Sequence, residues 1–479
     1  MKIFRLILFV FTPLLLSGCC NTSRDCKALS DKLITEFDKG NFKVMDSLAN
    51  SLKLSCTDQN TLRKADSLCQ IADRIELDFL YDESEFADIL KQRIGAFTNE
   101  EISLWNKMDW LESRTINREK RYFSRAASNL ELLKNFYLDR PGRDTLRSHD
   151  PEILFRKKHT GEIIMNSKQG NTPVLPVNMT ISYTLTIDAD AVPEGKTIRC
   201  WLPFPRSDQE RQKNIVLLST SEDKYVISPD SAIHRTIYME SKAVKRLPVV
   251  FNIKYSFQSS GQYFDPSSIK FLPYQTETGL FRKYTAEQLP QINFSDEVRN
   301  LADSIAGEET EPCKIVRKIY CWFNQNIPWA GALEYSTMPD IPGYVIRNRR
   351  GDCGMQTFLL MSMLRYKGIP VRWQSGWMVP PGDENLHDWC EVYYEGTGWV
   401  PLDVSYGLQY SDDIRIREFY ITGIDAYRLI VNYGIAGKLY PEKLYLRSEP
   451  YDFQRGEVEW EGGNLYFDKW DYNMEITYN

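Results

Sequence analysis

The stretch from Gly351 to Asp403 constrains the fold of this 479-residue chain more tightly than any other. It opens on Gly351-Asp352-Cys353-Gly354-Met355-Gln356. Apolar residues then recur at helical spacing, at Met355, Phe358, Leu359, Met363 and Leu364. Asp352 is placed to cap that helix, and Gly368-Ile369-Pro370 stops it. From His387 the period becomes two. His387, Trp389, Glu391 and Tyr393 fall on one strand face, and Asp388, Cys390, Val392 and Tyr394 on the other. Glu395-Gly396-Thr397-Gly398 reads as a hairpin turn, after which Trp399, Pro401 and Asp403 share a face. A helix and two antiparallel strands therefore follow one another, with a Cys, a His and an Asp at their edges.

Each of the three has a chemical use in that position. A cysteine in the first helical turn meets unpaired backbone N–H groups and the positive end of the helix dipole, both of which favour a thiolate. The same N–H groups lie where an oxyanion would form after attack on a carbonyl. Antiparallel pairing would set Asp403 beside His387, where a carboxylate fixes the imidazole tautomer and stabilises its charged form. Singly, a cysteine at a helix start is most often a small buried hydrophobe, and a strand histidine a hydrogen-bonded structural residue. The order of the three is more specific. Of the histidines at 149, 159, 234 and 387, only His387 follows a glycine-flanked cysteine with an aspartate on the next strand.

Four blocks carry a family resemblance: Gly351-Asp352-Cys353, Gly368-Ile369-Pro370-Val371-Arg372, His387-Asp388-Trp389-Cys390-Glu391-Val392 and Trp399-Val400-Pro401-Leu402-Asp403. From about Phe294 to Tyr406 the chain resembles the transglutaminase-like superfamily of papain-like cysteine hydrolases and acyltransferases. That resemblance implies a triad of Cys353, His387 and Asp403. It also implies an aromatic residue ahead of the nucleophile that helps bind the oxyanion. Trp329, after Ile327-Pro328, matches that place best, with a simple packing role as the alternative. The implied reaction is acyl transfer through a Cys thioester on peptide, protein or glycopeptide amides, with no cofactor or metal. Hydrolysis is favoured over crosslinking, because water is always abundant and crosslinking needs a second site for an amine. The rival is a non-catalytic lipoprotein that uses the same cleft and a β-sandwich to bind peptide or glycan.

The start of the chain reads as an export leader. Lys2 and Arg5 precede an apolar run from Leu6 to Leu16, too short for a membrane span. Leu16-Ser17-Gly18-Cys19 resembles a bacterial lipoprotein signal, which implies lipidation at Cys19 and a membrane anchor. Cys20 to Arg24 carry no acidic run, so a periplasm-facing position is favoured over the cell surface. Export permits disulfides, but the ten cysteines form no compact framework and no C-x-x-C pair, so connectivity stays open and a zinc site is not expected. A net charge of −6 gives no reason to expect nucleic acid.

The remaining segments divide by periodicity. Residues from about Lys27 to Asp139 read as helices, with a capping box at Thr98-Asn99-Glu100-Glu101. Arg140 to Pro176 turns polar and reads as a linker. Val177 to Asp188 alternates without a miss, as do Ile198 to Phe204 and Val249 to Phe257, the pattern of a β-sandwich. The expected architecture is multidomain: a lipoprotein signal peptide over 1–18, an α-helical domain and linker over 19–170, and a β-sandwich over 171–285. An α+β transglutaminase-like catalytic domain follows over 286–410, then a β-rich C-terminal extension over 411–479, expected to pack on the catalytic domain.

Overall fold

The computed structural model describes residues 18–138, 150–167 and 171–479. The leader expected at the start of the chain lies outside them up to residue 17, as does the side chain of Cys19. Among the described residues, no helix is long and apolar enough to cross a membrane. The chain forms two compact units, Met1–Ala127 and Ser128–Asn479.

The first unit is helical, with helices Gly18–Asp38, Phe42–Ser55, Gln59–Asp78, Glu83–Ile94 and Asn99–Lys107. Local signals start several of them. Asp58 accepts from the Asn60 and Thr61 N–H groups. Asp82 with Glu85, and Thr98 with Glu101, form reciprocal capping boxes. A disulfide joins Cys26 to Cys56, a pairing the spacings alone left open. Within the stretch that reads as helical stands a hairpin, Ser113–Ile116/Glu119–Tyr122. Asn117 and Arg118 turn it with φ of 50° and 72°, a tight turn made without glycine.

The second unit holds the sandwich and the catalytic sheet. In one sandwich sheet, Val174–Ile187 lies between Val249–Tyr263 and Trp470–Tyr478. In the other, Thr197–Pro203 lies between Thr236–Lys242 and Glu457–Trp460. The alternation seen in the sequence is the cause: Met179, Ile181, Tyr183 and Leu185 all point into the core. The C-terminal strands do not form a layer of their own on the catalytic domain. Glu457–Trp460 and Trp470–Tyr478 pair with sandwich strands and complete both sheets. Backbone pairing across hundreds of residues leaves no local trace, so periodicity showed the strands but not their partners.

The catalytic sheet runs in the order Gly398–Leu402, Asn385–Tyr394, Val371–Met378, Arg428–Asn432, all antiparallel. The helix Cys353–Tyr366 packs on it, with Phe358 stacked on Trp373 at 4.4 Å. It is buried from Cys353 to Arg365, as a helix apolar on every side must be. Helices Asp296–Ala306 and Pro312–Asn326 cover its other side, the first capped by Ser295 as expected. A further helix, Pro151–Asn166, lies in the segment that reads as a linker. Its start signal is Asp150, which caps the Glu152 and Ile153 N–H groups, followed by Pro151.

Candidate active site

Asp352 caps the helix Cys353–Tyr366 through the Met355 N–H, which sets Cys353 in the first turn. The helix ends at Tyr366, and Gly368 takes φ +72° before the next strand. Across the hairpin, Cys390 pairs with Leu402, so His387 and Asp403 emerge on one face near the strand ends. His387 Nε2 donates to Asp403 Oδ2 at 2.7 Å. That bond leaves Nδ1 as the unprotonated nitrogen of a neutral ring.

Asp403 is fully buried and has three further donors: Arg428 Nη1 at 2.8 Å, Ser405 Oγ at 3.0 Å and the Ser405 N–H at 3.2 Å. Arg428 also holds Asp425, with Nη2 2.6 Å from Asp425 Oδ2. Despite burial, the interaction with His387, the Arg428 charge and the hydrogen bonds from His387 and Ser405 hold Asp403 ionised well below the usual carboxylate range. Burial, against Asp403 and with the help of Arg428, holds His387 below its ordinary value. Tyr406 walls the imidazole at 5.0 Å between ring centres. Arg156 and Arg428 stand over the Tyr406 ring at 3.9 and 4.5 Å.

The thiol departs from the sequence expectation. Cys353 is buried, and its Sγ donates to Asp388 Oδ2 at 3.5 Å. Burial first, then the Asp388 and Asp352 carboxylates, push the thiol well above its ordinary value. The helix dipole is present, but desolvation and like charge outweigh it. The resting site therefore holds a neutral thiol and a neutral imidazole. Loss of activity on acidification should follow protonation of His387, at a pH below the ordinary histidine value of about 6.5. A kcat/KM profile checks this, and an acid limb at or above that value would contradict it.

Trp329 lies in the wall of a cleft of about 310 Å³ beside these groups, 45% exposed. Leu132, Phe136, Gln356, Ser405 and Tyr406 also line it, with no charged side chain. The Trp329 loop is braced from both ends. Asn129 exchanges two hydrogen bonds with the Gly331 backbone, and the Tyr137 hydroxyl donates to the Asn326 and Arg349 carbonyls. The backbone at Trp329 bridges to Gly351, two residues before the cysteine. A second cavity of about 170 Å³ lies on Tyr406, lined by Phe155, Arg156, Pro380, Asp383 and Tyr427.

Sequence reasoning missed Arg428, Asp425, Tyr406 and Asp388. One signal was there to find: Asp425 and Arg428 stand three apart inside the apolar run from Phe419 to Val431, where buried charges must pair.

Residues 299–404 match the model of the transglutaminase-like superfamily. No curated protein matches the chain. Among solved structures it is similar to a candidate cysteine protease from Cytophaga hutchinsonii, at 14% identity and a TM-score of 0.45, covering 65% of this chain and 92% of that one. It is similar to the periplasmic domain of TgpA from Pseudomonas aeruginosa at 16% identity and a TM-score of 0.26, over 54% of this chain and 95% of that one. A candidate protease from Parabacteroides distasonis is similar at 11% identity and a TM-score of 0.19, over 49% of this chain and 68% of that one. The Cys353 helix, the His387 strand and the Asp403 strand all lie inside the segment 299–404 that matches the transglutaminase-like superfamily.

Proposed function

We propose that this chain is an exported, lipid-anchored cysteine hydrolase that cleaves amide bonds of peptide, protein or glycopeptide substrates through a thioester on Cys353. The observation that carries this is the buried hydrogen bond from His387 to Asp403, built on the two strands beside the cysteine-bearing helix start. A carboxylate fixed by Arg428 and Ser405 is an orienter for an imidazole base.

In this account substrate enters the uncharged cleft between Trp329, Leu132 and Tyr406. His387 Nδ1 takes the Cys353 proton as the sulfur attacks the amide carbon. The carbonyl electrons move to oxygen, where the Cys353 N–H and Trp329 are the candidate donors. On collapse His387 protonates the leaving amine, and water then releases the acyl group. Asp403 never gives up its charge, because His387 and Arg428 hold it ionised. The Cys26–Cys56 disulfide supports an oxidising compartment, in keeping with the leader and a lipid at Cys19. The test is capture of an acyl group on Cys353 from a mixture of peptides and glycopeptides.

A further inference from the structure

We propose that Asp388 is a further catalytic residue whose carboxyl shares a proton with Cys353: neutral, it donates its O–H to the sulfur and steadies the thiolate; ionised, it accepts the S–H and keeps the thiol unreactive. The proposal rests on Cys353 being the nucleophile.

Several contacts aim this carboxyl. Its Oδ2 is the atom 3.5 Å from Cys353 Sγ. Its Oδ1 accepts from Gln454 Nε2 at 2.9 Å, and that same amide donates to the His387 carbonyl at 3.0 Å. Gln454 thus fixes Oδ1 as an acceptor and leaves Oδ2 as the place for a proton, facing the sulfur. Gly354 makes the room: a Cβ there would meet Asp388 Oδ2 at 2.5 Å and would also crowd the Tyr335 hydroxyl. The Asp388 N–H points to the sulfur as well and favours the thiolate.

The surroundings favour the neutral acid. Asp388 is buried. Asp452 and Glu449 face it from the C-terminal segment, and Asp352 from the helix cap. Arg455 and Arg447 offset the charge at Asp452, which is nevertheless pushed up to about 8 by burial and Glu449. Tyr335 donates to Asp352 Oδ1 at 2.5 Å. Asp403, on the next strand, is committed to His387 and Arg428. Burial, then Asp452 and Asp352, hold the Asp388 carboxyl far above its ordinary range.

The proton count is simple. Acid plus thiol carry two protons. Removing one leaves either carboxylate with thiol or acid with thiolate, in a ratio that pH does not change. Attack uses the second form: the thiol proton is on His387, the sulfur pair bonds to carbon, and Asp388 keeps its proton throughout.

The experiment is alkylation of Cys353 by iodoacetamide from about pH 5 to 10, read by mass on the Cys353 peptide. The wild type should gain reactivity in two steps. Asp388→Asn, which keeps a donor and cannot ionise, should react in one step and, above the wild type's lower step, about tenfold faster, the factor for a one-unit shift. Asp388→Ala loses both and should fall between them. A wild-type profile in Asp388→Asn, or equal profiles for Asn and Ala, overturns the proposal. Should Asp388→Asn fail to fold, Asp452→Asn removes a facing charge without touching the sulfur. Its lower step should move to lower pH, and an unmoved step overturns the proposal equally. Since iodoacetamide needs no substrate, two-step behaviour without any acyl-enzyme would sink the hydrolase assignment and with it the catalytic role of Asp388, leaving only the shared proton.

Discussion

His387→Ala should abolish acyl-enzyme formation, while Asp403→Asn should slow it by no more than about 10⁴-fold, the loss seen when a serine triad's orienter is neutralised. The geometry sets that order. Without His387 no base carries the proton of this buried, raised thiol on to the leaving amine, since Asp388 keeps its own proton throughout attack. Asparagine at 403 fills the same space but loses the charge that fixes Nε2–H and stabilises the imidazolium. Combining Asp403→Asn with His387→Ala should cost no more than His387→Ala alone, because groups acting as one unit are non-additive. Burst kinetics on the four proteins measure this, and losses that simply multiply would separate Asp403 from the catalytic unit. Alanine at 403 is a poorer probe, since it would strand the fully buried Arg428.

The second large effect is on stability. Arg428→Met should destabilise the protein by about 3–5 kcal/mol, the range for breaking a buried ion pair from one side. Arg428 is fully buried between Asp403 and Asp425, with Nη1 on Asp403 at 2.8 Å and Nη2 and Nε on Asp425 at 2.6 and 3.0 Å. Removing it leaves two buried carboxylates with no guanidinium between them. The pH dependence follows from the sign of the shifts. Both carboxyls are depressed in the folded protein, Asp425 to about 2. Their contribution is full above the unfolded value of about 3.9 and is lost as pH falls through the folded values. Wild type should therefore keep this contribution at pH 5. The variant's carboxyls, raised by burial and mutual repulsion, should already be taking up protons there. Urea unfolding of both proteins at pH 7 and pH 5 checks it; equal midpoints at pH 7 would contradict it.

What the sequence made legible was local. The cap at Asp352, the stop at Gly368 and the hairpin between the His387 and Asp403 strands follow from residues within a few positions of one another. The strand alternation also placed Asp388 opposite His387. It did not show that Cys353 would meet that strand at Asp388. Gln454, Asp452 and Arg428 reach the site from segments far along the chain, and no periodicity reports such approaches. The reversal at the thiol has the same origin. A helix start can be read from sequence and argues for a thiolate. The burial and the Asp388 carboxyl that oppose it arrive only with the fold, although Asp352 stands next to the cysteine in the sequence.

Intact-protein mass spectrometry of an acid-quenched reaction decides whether Cys353 carries an acyl group during turnover. The protein is mixed with a peptide and glycopeptide library, quenched within the turnover time, and weighed. A mass increment equal to an acyl fragment should appear, map to Cys353, and vanish with hydroxylamine, which cleaves thioesters. It should be absent from Cys353→Ala and His387→Ala. Peptide bound tightly in the cleft with no such increment, or an increment that persists in Cys353→Ala, would contradict the assignment and leave the domain a binding module.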